Sequence, residues 1–201
     1  MRELTVLVVA YLLGCVQTGY YLVRSLTGQD LRRTGSGGTG ARNAGRVLGR
    51  KGFVLTLLGD TGKGALAMAV AAWLNAAPWA VAAALVAVSA GHVWPVQLRF
   101  SGGRGVAVGL GALAVYEPRL LGVLAVVTLL GWVVSRRFQI SGLAGFAVLP
   151  FAGWYLGLPG AALAGIGGMS LIVLFAHRSH LARCLRRAPE TGDGGCSPSG
   201  D

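Results

Sequence analysis

Acidic side chains are scarce in this chain: seven Asp and Glu stand among 201 residues, and charged residues of both signs make up 12%. A water-soluble surface ordinarily needs about 25%, so a soluble globular domain is excluded. Cysteine is sparse too. Cys15 falls in an apolar run and Cys184 and Cys196 near the C-terminus, without the spacing of a disulfide framework or a zinc site. No cofactor and no metal are expected. A Gly-x-Ser-x-Gly elbow is missing, as are paired carboxylates suited to general acid–base work.

Apolar residues are what the chain has in quantity: 54% of it, with a mean hydropathy of +0.62. Residues 4–23, 64–98 and 138–176 contain no Asp, Glu, Lys or Arg. One membrane helix takes about 20 apolar residues, so each of the two longer runs holds two spans. The first run follows three residues and lacks a small-residue cleavage site, so it reads as a helix and not a signal peptide. Proline and glycine at Ala77-Pro78, Glu117-Pro118 and Gly157-Leu158-Pro159-Gly160 end helices. The expectation is an all-α polytopic membrane protein with spans over 4–23, 52–75, 79–98, 105–116, 119–135, 140–156 and 160–176. The fourth is only about 18 Å long at the helical rise, hence short, tilted or partly re-entrant. One integral-membrane domain covers 1–188, and the Gly, Ser, Pro and acid tail 189–201 is expected to be disordered.

The net charge of +11 would suggest nucleic acid in a soluble chain. Here its placement sets orientation instead, and no nucleic acid is expected. With seven spans and the N-terminus outside, every Lys and Arg except Arg2 and Arg119 falls on one side. The positive-inside rule makes that side, and the C-terminus, cytoplasmic. The chain then sits multi-pass in a bacterial inner membrane, with no obligate protein partner evident.

The cationic side carries the chemistry. Gly35-Ser36-Gly37-Gly38-Thr39-Gly40-Ala41-Arg42-Asn43-Ala44-Gly45-Arg46 is a glycine ladder closed by arginine, and Ser101-Gly102-Gly103-Arg104-Gly105 repeats it in brief. Glycine lets backbone N–H groups crowd onto an oxyanion, and a guanidinium offers phosphate a forked donor. Gly35-x-Gly37-x-x-Gly40 matches the dinucleotide fingerprint as a string, but its flanks are membrane helices and not a βαβ unit. The segment from Leu57 to Gly64 imitates a phosphate-binding P-loop yet lacks its first glycine and its metal-binding hydroxyl. The plain alternative is a flexible loop whose arginines serve topology alone. Topology needs charge but not glycines in register with Ser and Asn.

Arg46 and Lys63 fall at or just inside the membrane boundary, where a charge should face an enclosed polar site. Lys63 follows Asp60 by three residues, so ion pairing and substrate contact are both open to it. His92 near a helix end is either a hydrogen-bonded packing residue or a catalyst. His177 and His180 share a helical face and can orient a hydroxyl or a phosphate. With no group poised as a base, an enzyme of this kind needs a substrate that brings its own reactivity.

On these residues the chain resembles the bacterial acyl-phosphate:glycerol-3-phosphate acyltransferases, the PlsY family, over about 1–187. That family's first motif, Gly-Ser-Gly-Asn-Pro-Gly-Ala-x-Asn-x-x-Arg, is similar to Gly35 through Arg46, with Gly38 and Thr39 in place of Asn-Pro. Its Leu-Asp-x-x-Lys-Gly element is similar to Gly59 through Gly64. Its Gly-His to Gly-Gly-Lys-Gly-Val-Ala motif is similar to Gly91-His92 and Gly102 through Ala107, with Arg104 in place of lysine. The third region is similar only loosely, around Ser141. The closing His-Arg-x-Asn is similar to His177 through His180, with His180 for asparagine. The His-x-x-x-x-Asp motif of thioester-using glycerolipid acyltransferases is absent, since Gln97 and Ala182 follow His92 and His177 at that spacing.

The resemblance implies acyl transfer from acyl phosphate to the 1-hydroxyl of sn-glycerol 3-phosphate, the first step of phospholipid synthesis, beside membrane lipid. It implies Ser36, Arg46, Arg104 and His177 in catalysis. Gly37, Gly40, Asn43, Lys63, Gly102, Gly103, Ser141 and His180 would surround the substrates, with N–H groups of Gly37, Gly102 and Gly103 donated to phosphate. A transporter or channel selecting a phosphorylated solute is the rival reading. Against it, midspan polar residues are few, Thr56 and Ser89 among them.

Overall fold

The structure is a computed structural model that describes residues 1–179. His180, Cys184, Cys196 and the tail 189–201 lie outside them. The described residues form eight α-helices: α1 (Arg2–Cys15), α2 (Thr18–Thr27), α3 (Ala41–Trp73), α4 (Pro78–Val93), α5 (Val106–Tyr116), α6 (Pro118–Ser135), α7 (Phe138–Tyr155) and α8 (Gly160–Ala176). Two short 3-10 turns, Leu31–Arg33 and Val96–Leu98, sit in the loops.

Five of the expected spans match single helices closely. The first does not: it breaks at Val16-Gln17 into α1 and α2. The second begins eleven residues earlier than the expected 52 and is bent at Gly49, whose φ of 66° and ψ of −158° interrupt the helical geometry. Its first turns therefore belong to the glycine ladder and not to the apolar span.

Helices pack as α1 on α4, α3 on α5, α4 on α8 and α6 on α7. The core joins Leu85, Val88, Leu113, Leu120, Phe146, Leu149, Ile166 and Met169, all almost fully buried. Small residues set the spacing, as in bilayers where apolar packing alone gives little drive to associate. A Cβ on Gly14 would strike the Val88 carbonyl, and one on Gly91 the Tyr11 carbonyl, so α1 and α4 meet backbone to backbone. Gly64 and Gly111 do the same for α3 and α5, against the carbonyls of Val108 and Thr61.

Gly165 faces Ala82 and Gly168 faces Val86, so α4 and α8 run parallel and start at the same end. The turns before them are ringed by exposed Trp73, Trp79, Trp154 and Tyr155, an aromatic girdle of the interfacial kind. The opposite end gathers residues 28–40, 94–105, 136–137 and 177–179, which include both glycine-rich loops. Large apolar side chains such as Leu129, Leu130, Val134 and Phe151 stay exposed on the flanks, as lipid-facing helices require. The fold is that of an all-α polytopic membrane protein.

The Gly111 contact yields a test. Gly111→Ala should destabilise the detergent-solubilised protein by about 1–3 kcal/mol in thermal unfolding. Gly122→Ala, whose Cβ meets nothing within 4 Å, should leave the midpoint unchanged. Equal midpoints for the two variants would refute the close approach of α3 and α5.

Candidate functional site

The first loop is built around Asn43. Its amide nitrogen donates to the carbonyls of Leu31 (3.0 Å), Thr34 (3.0 Å) and Gly38 (2.8 Å), and its oxygen accepts the Ser36 N–H (3.3 Å). Asn43 is buried and its donors are committed, so it shapes the loop from within. Gly35 adopts φ +50°, and a Cβ there would lie 2.9 Å from Arg46 Nη1, so the guanidinium crosses directly over the loop beside Ser36. Ser36 and Arg46 are both exposed. Arg46 also lines a shallow concavity of about 420 Å³ with Arg42, Arg50 and Phe53. Gly40 caps α3, accepting the N–H groups of Asn43 and Ala44.

The second loop folds back on the end of α4. Gly102 N–H donates to the Val93 carbonyl (3.2 Å) and Gly103 N–H to the His92 carbonyl (3.0 Å). Gly37 N–H likewise closes a turn onto the Thr34 carbonyl (3.0 Å). These three hydrogen bonds share one cause. The last carbonyls of a helix and the ends of a turn need donors, and in this structure the N–H groups of Gly37, Gly102 and Gly103 supply them. The backbone donors that helix geometry leaves over are those of α3's first turn, at Ala41 and Arg42. Gly103 keeps another role: a Cβ there would strike His92 Nε2, so glycine lets the loop lie on the imidazole.

Beneath the loops lies a buried polar web. Where the first span breaks, Lys63 donates to the freed Val16 carbonyl and Gln97 to the Cys15 carbonyl. Lys63 Nζ is 2.9 Å from Asp60 Oδ1 and 2.9 Å from His92 Nδ1, and all three side chains are buried. Lys63 is thus committed to Asp60, to His92 and to the broken helix, beneath the exposed loop surface. His92 is buried, hydrogen-bonded to Lys63 and covered by Gly103. Gln17 donates to the carbonyls of Gly14 (3.2 Å) and His92 (3.0 Å) and accepts from the Thr39 hydroxyl (2.6 Å). Gln17 and Gln97 were not singled out in the sequence. The signal for Gln17 is an amide in an otherwise apolar run, where it must find partners.

Arg104 is half-buried between Gly103 and Gly105. Gly105, at φ +84°, packs on Val173 of α8, and His177, one turn further on, has its Nδ1 2.8 Å from the Val173 carbonyl. Arg104 and buried His177 therefore share the same end of the bundle. Arg32, paired with Asp30 at 2.7 Å, donates to the Leu98 carbonyl (3.0 Å) and ties the first loop's base to the second loop. Ser141 is held within the α6–α7 hairpin, its hydroxyl on Ser135 (3.2 Å) and the Arg137 carbonyl (3.1 Å). Two residues before it, Gln139 accepts from Arg42 (2.8 Å), which draws the start of α7 onto α3. His180 lies outside the described residues.

The chain is similar to known proteins along almost its whole length. The family model described as glycerol-3-phosphate acyltransferase matches residues 4–187. The chain is 42% identical to glycerol-3-phosphate acyltransferase 1 of Desulfitobacterium hafniense, over 94% of each chain. It is 40% identical to the glycerol-3-phosphate acyltransferase of Rubrobacter xylanophilus across the whole of both. Among solved structures it is similar to PlsY (YgiH), an integral membrane glycerol 3-phosphate acyltransferase, in its glycerol 3-phosphate form. That likeness has a TM-score of 0.83 and 27% identity, covering 96% of each chain.

Two outcomes follow from the geometry. Lys63→Met should cost about 3–5 kcal/mol, because it leaves Asp60 buried without its partner. The double variant with Asp60→Leu should recover much of that loss, in thermal unfolding of the solubilised protein; strictly additive losses would refute the pairing. Outside the spans, the Arg32 guanidinium holds the Asp30 carboxyl down to about 2 from its ordinary 3.8. A carboxylate with a depressed folded value stabilises above its unfolded value and loses that contribution as pH falls through the folded one. The stability gap between wild type and Asp30→Asn should therefore be complete above about pH 4 and close towards pH 2; a gap independent of pH would contradict the ion pair.

Proposed function

Because this chain belongs to the glycerol-3-phosphate acyltransferase family, we propose that it acylates the 1-hydroxyl of sn-glycerol 3-phosphate, with an acyl phosphate as donor. The products would be 1-acylglycerol 3-phosphate, a lysophosphatidic acid, and inorganic phosphate. The observation that carries the reading is that Ser36 and Arg46 on one loop, and Arg104 and His177, lie at the same end of an apolar bundle. Such a site takes phosphate at its head and leaves an acyl chain among lipid-facing helices.

In this mechanism the glycerol oxygen attacks the acyl carbonyl carbon, the carbon–oxygen bond to the phosphoryl group breaks, and phosphate departs. An acyl phosphate is already activated, so no covalent enzyme intermediate is required. Charge changes fall on phosphoryl oxygens, where guanidinium groups fixed beforehand stabilise best. Arg46 and Arg104 take that role, with the Ser36 hydroxyl and the first-turn N–H groups of α3 beside them. His177 orients the glycerol phosphate, with His180 next to it. Asn43 and Lys63 act from beneath, holding the loop and the broken helix. The leaving phosphate, which ionises near neutrality, accepts the hydroxyl proton. The cationic end faces the cytoplasm in this reading, supported by the asymmetry of arginine and lysine.

Purified protein in detergent should convert palmitoyl phosphate and sn-glycerol 3-phosphate to lysophosphatidic acid and orthophosphate in equal amounts. Arg46→Ala and Arg104→Ala should each lower kcat/KM by about 100-fold or more without loss of folded protein. Activity with acyl-CoA but not acyl phosphate would remove the donor assignment, and a folded Arg46→Ala of full activity would remove the site.

A further inference from the structure

Gln17 and Thr39 come from separate elements and are both buried, at 0% and 1% exposure. Gln17 stands at the break between α1 and α2; Thr39 is the residue before the cap of α3. The Thr39 hydroxyl donates to Gln17 Oε1 at 2.6 Å, and Gln17 Nε2 donates to the His92 carbonyl at 3.0 Å. That carbonyl also accepts the Gly103 N–H. One side-chain amide therefore joins the loop that leads to Arg46 with the loop that presents Arg104. Gly19 completes the seat: a Cβ there would strike the Thr39 carbonyl and lie 2.9 Å from the Thr56 methyl.

We infer that the Thr39–Gln17 contact is a latch that fixes the separation of Arg46 from Arg104, so that Thr39 and Gln17 are positioning residues for the anion site. A run of glycines has little stiffness of its own, so a two-loop phosphate site needs an external constraint to keep its ligands at one spacing. Only an amide meets the demand here, because the position must accept from a hydroxyl and donate to carbonyls. Thr39 is one of this chain's departures from the motif of the family it resembles. The inference rests on the reading that the two loops hold a phosphate.

The experiment compares wild type, Thr39→Val, which removes the hydroxyl and keeps the shape, and Thr39→Ser, which keeps the hydroxyl. Two quantities are read in detergent: the KM for sn-glycerol 3-phosphate and the Kd for orthophosphate, the second without turnover. Thr39→Val should raise both by about tenfold, with kcat little changed, while Thr39→Ser stays within about twofold of wild type. A purely packing role would reduce the folded fraction, and so kcat per milligram, leaving KM and Kd where they were; that result overturns the latch. If Thr39→Val does not purify folded, Gly19→Ala carries the same comparison, since it pushes Thr39 off its seat while deleting neither polar side chain. Wild type that binds orthophosphate but transfers no acyl group would sink the proposed function alone, and the Kd comparison would still decide the latch. Wild type that binds no orthophosphate would overturn the latch.

Discussion

A break in a helix inside an apolar bundle leaves backbone carbonyls that water cannot reach, and each must find a donor. The interruption at Val16-Gln17 imposes that demand on the whole molecule. Lys63 answers for Val16, Gln97 for Cys15 and Gln17 for Gly14. These donors come from α3, from the turn after α4 and from the break itself. Satisfying one short stretch of backbone thus pins α1, α2, α3 and the second glycine loop to a common point. Asp60 and His92 are there because Lys63 is there: a buried ammonium needs a carboxylate, and the cluster fills the space under Gly103.

The glycines serve this construction more than they serve an anion. Their N–H groups close turns and helix ends, and their missing side chains let the loop lie on His92 and Arg46 cross over Gly35. What remains for a phosphate is side-chain charge, the Ser36 hydroxyl and the positive end of α3. Such a division separates a rigid buried layer from an exposed layer of arginines. It suits the proposed site, where substrates would exchange at the edge of a bilayer while the foundation stays dry.

Much of this was legible in the sequence. Charge-free runs bounded by Pro and Gly located α4 to α8 closely, because lipid-facing helices allow no other pattern. The clustering of the cationic, glycine-rich loops at one end of the bundle was legible from residue type and spacing. The broken first span was not, since neither Val16 nor Gln17 is a helix breaker and the freed carbonyls find their donors 47 and 82 residues away. The reach of α3 back to Ala41 was missed because its first turns are polar and glycine-rich, with propensity overridden by the Asn43 contacts. The fate of the glycine N–H groups was illegible as well: a string of glycines states that backbone can approach something, not which acceptor is nearer.

The central claim is that two loops, fastened to one buried web, bring Arg46 and Arg104 to bear on a single phosphate. An experimental structure of the protein soaked with orthophosphate or sn-glycerol 3-phosphate tests it most directly. The account predicts one phosphoryl group within hydrogen-bonding distance of both guanidinium groups, with the first-turn amides of α3 aimed at it. A phosphate held by either arginine without the other, or bound away from both loops, would contradict it.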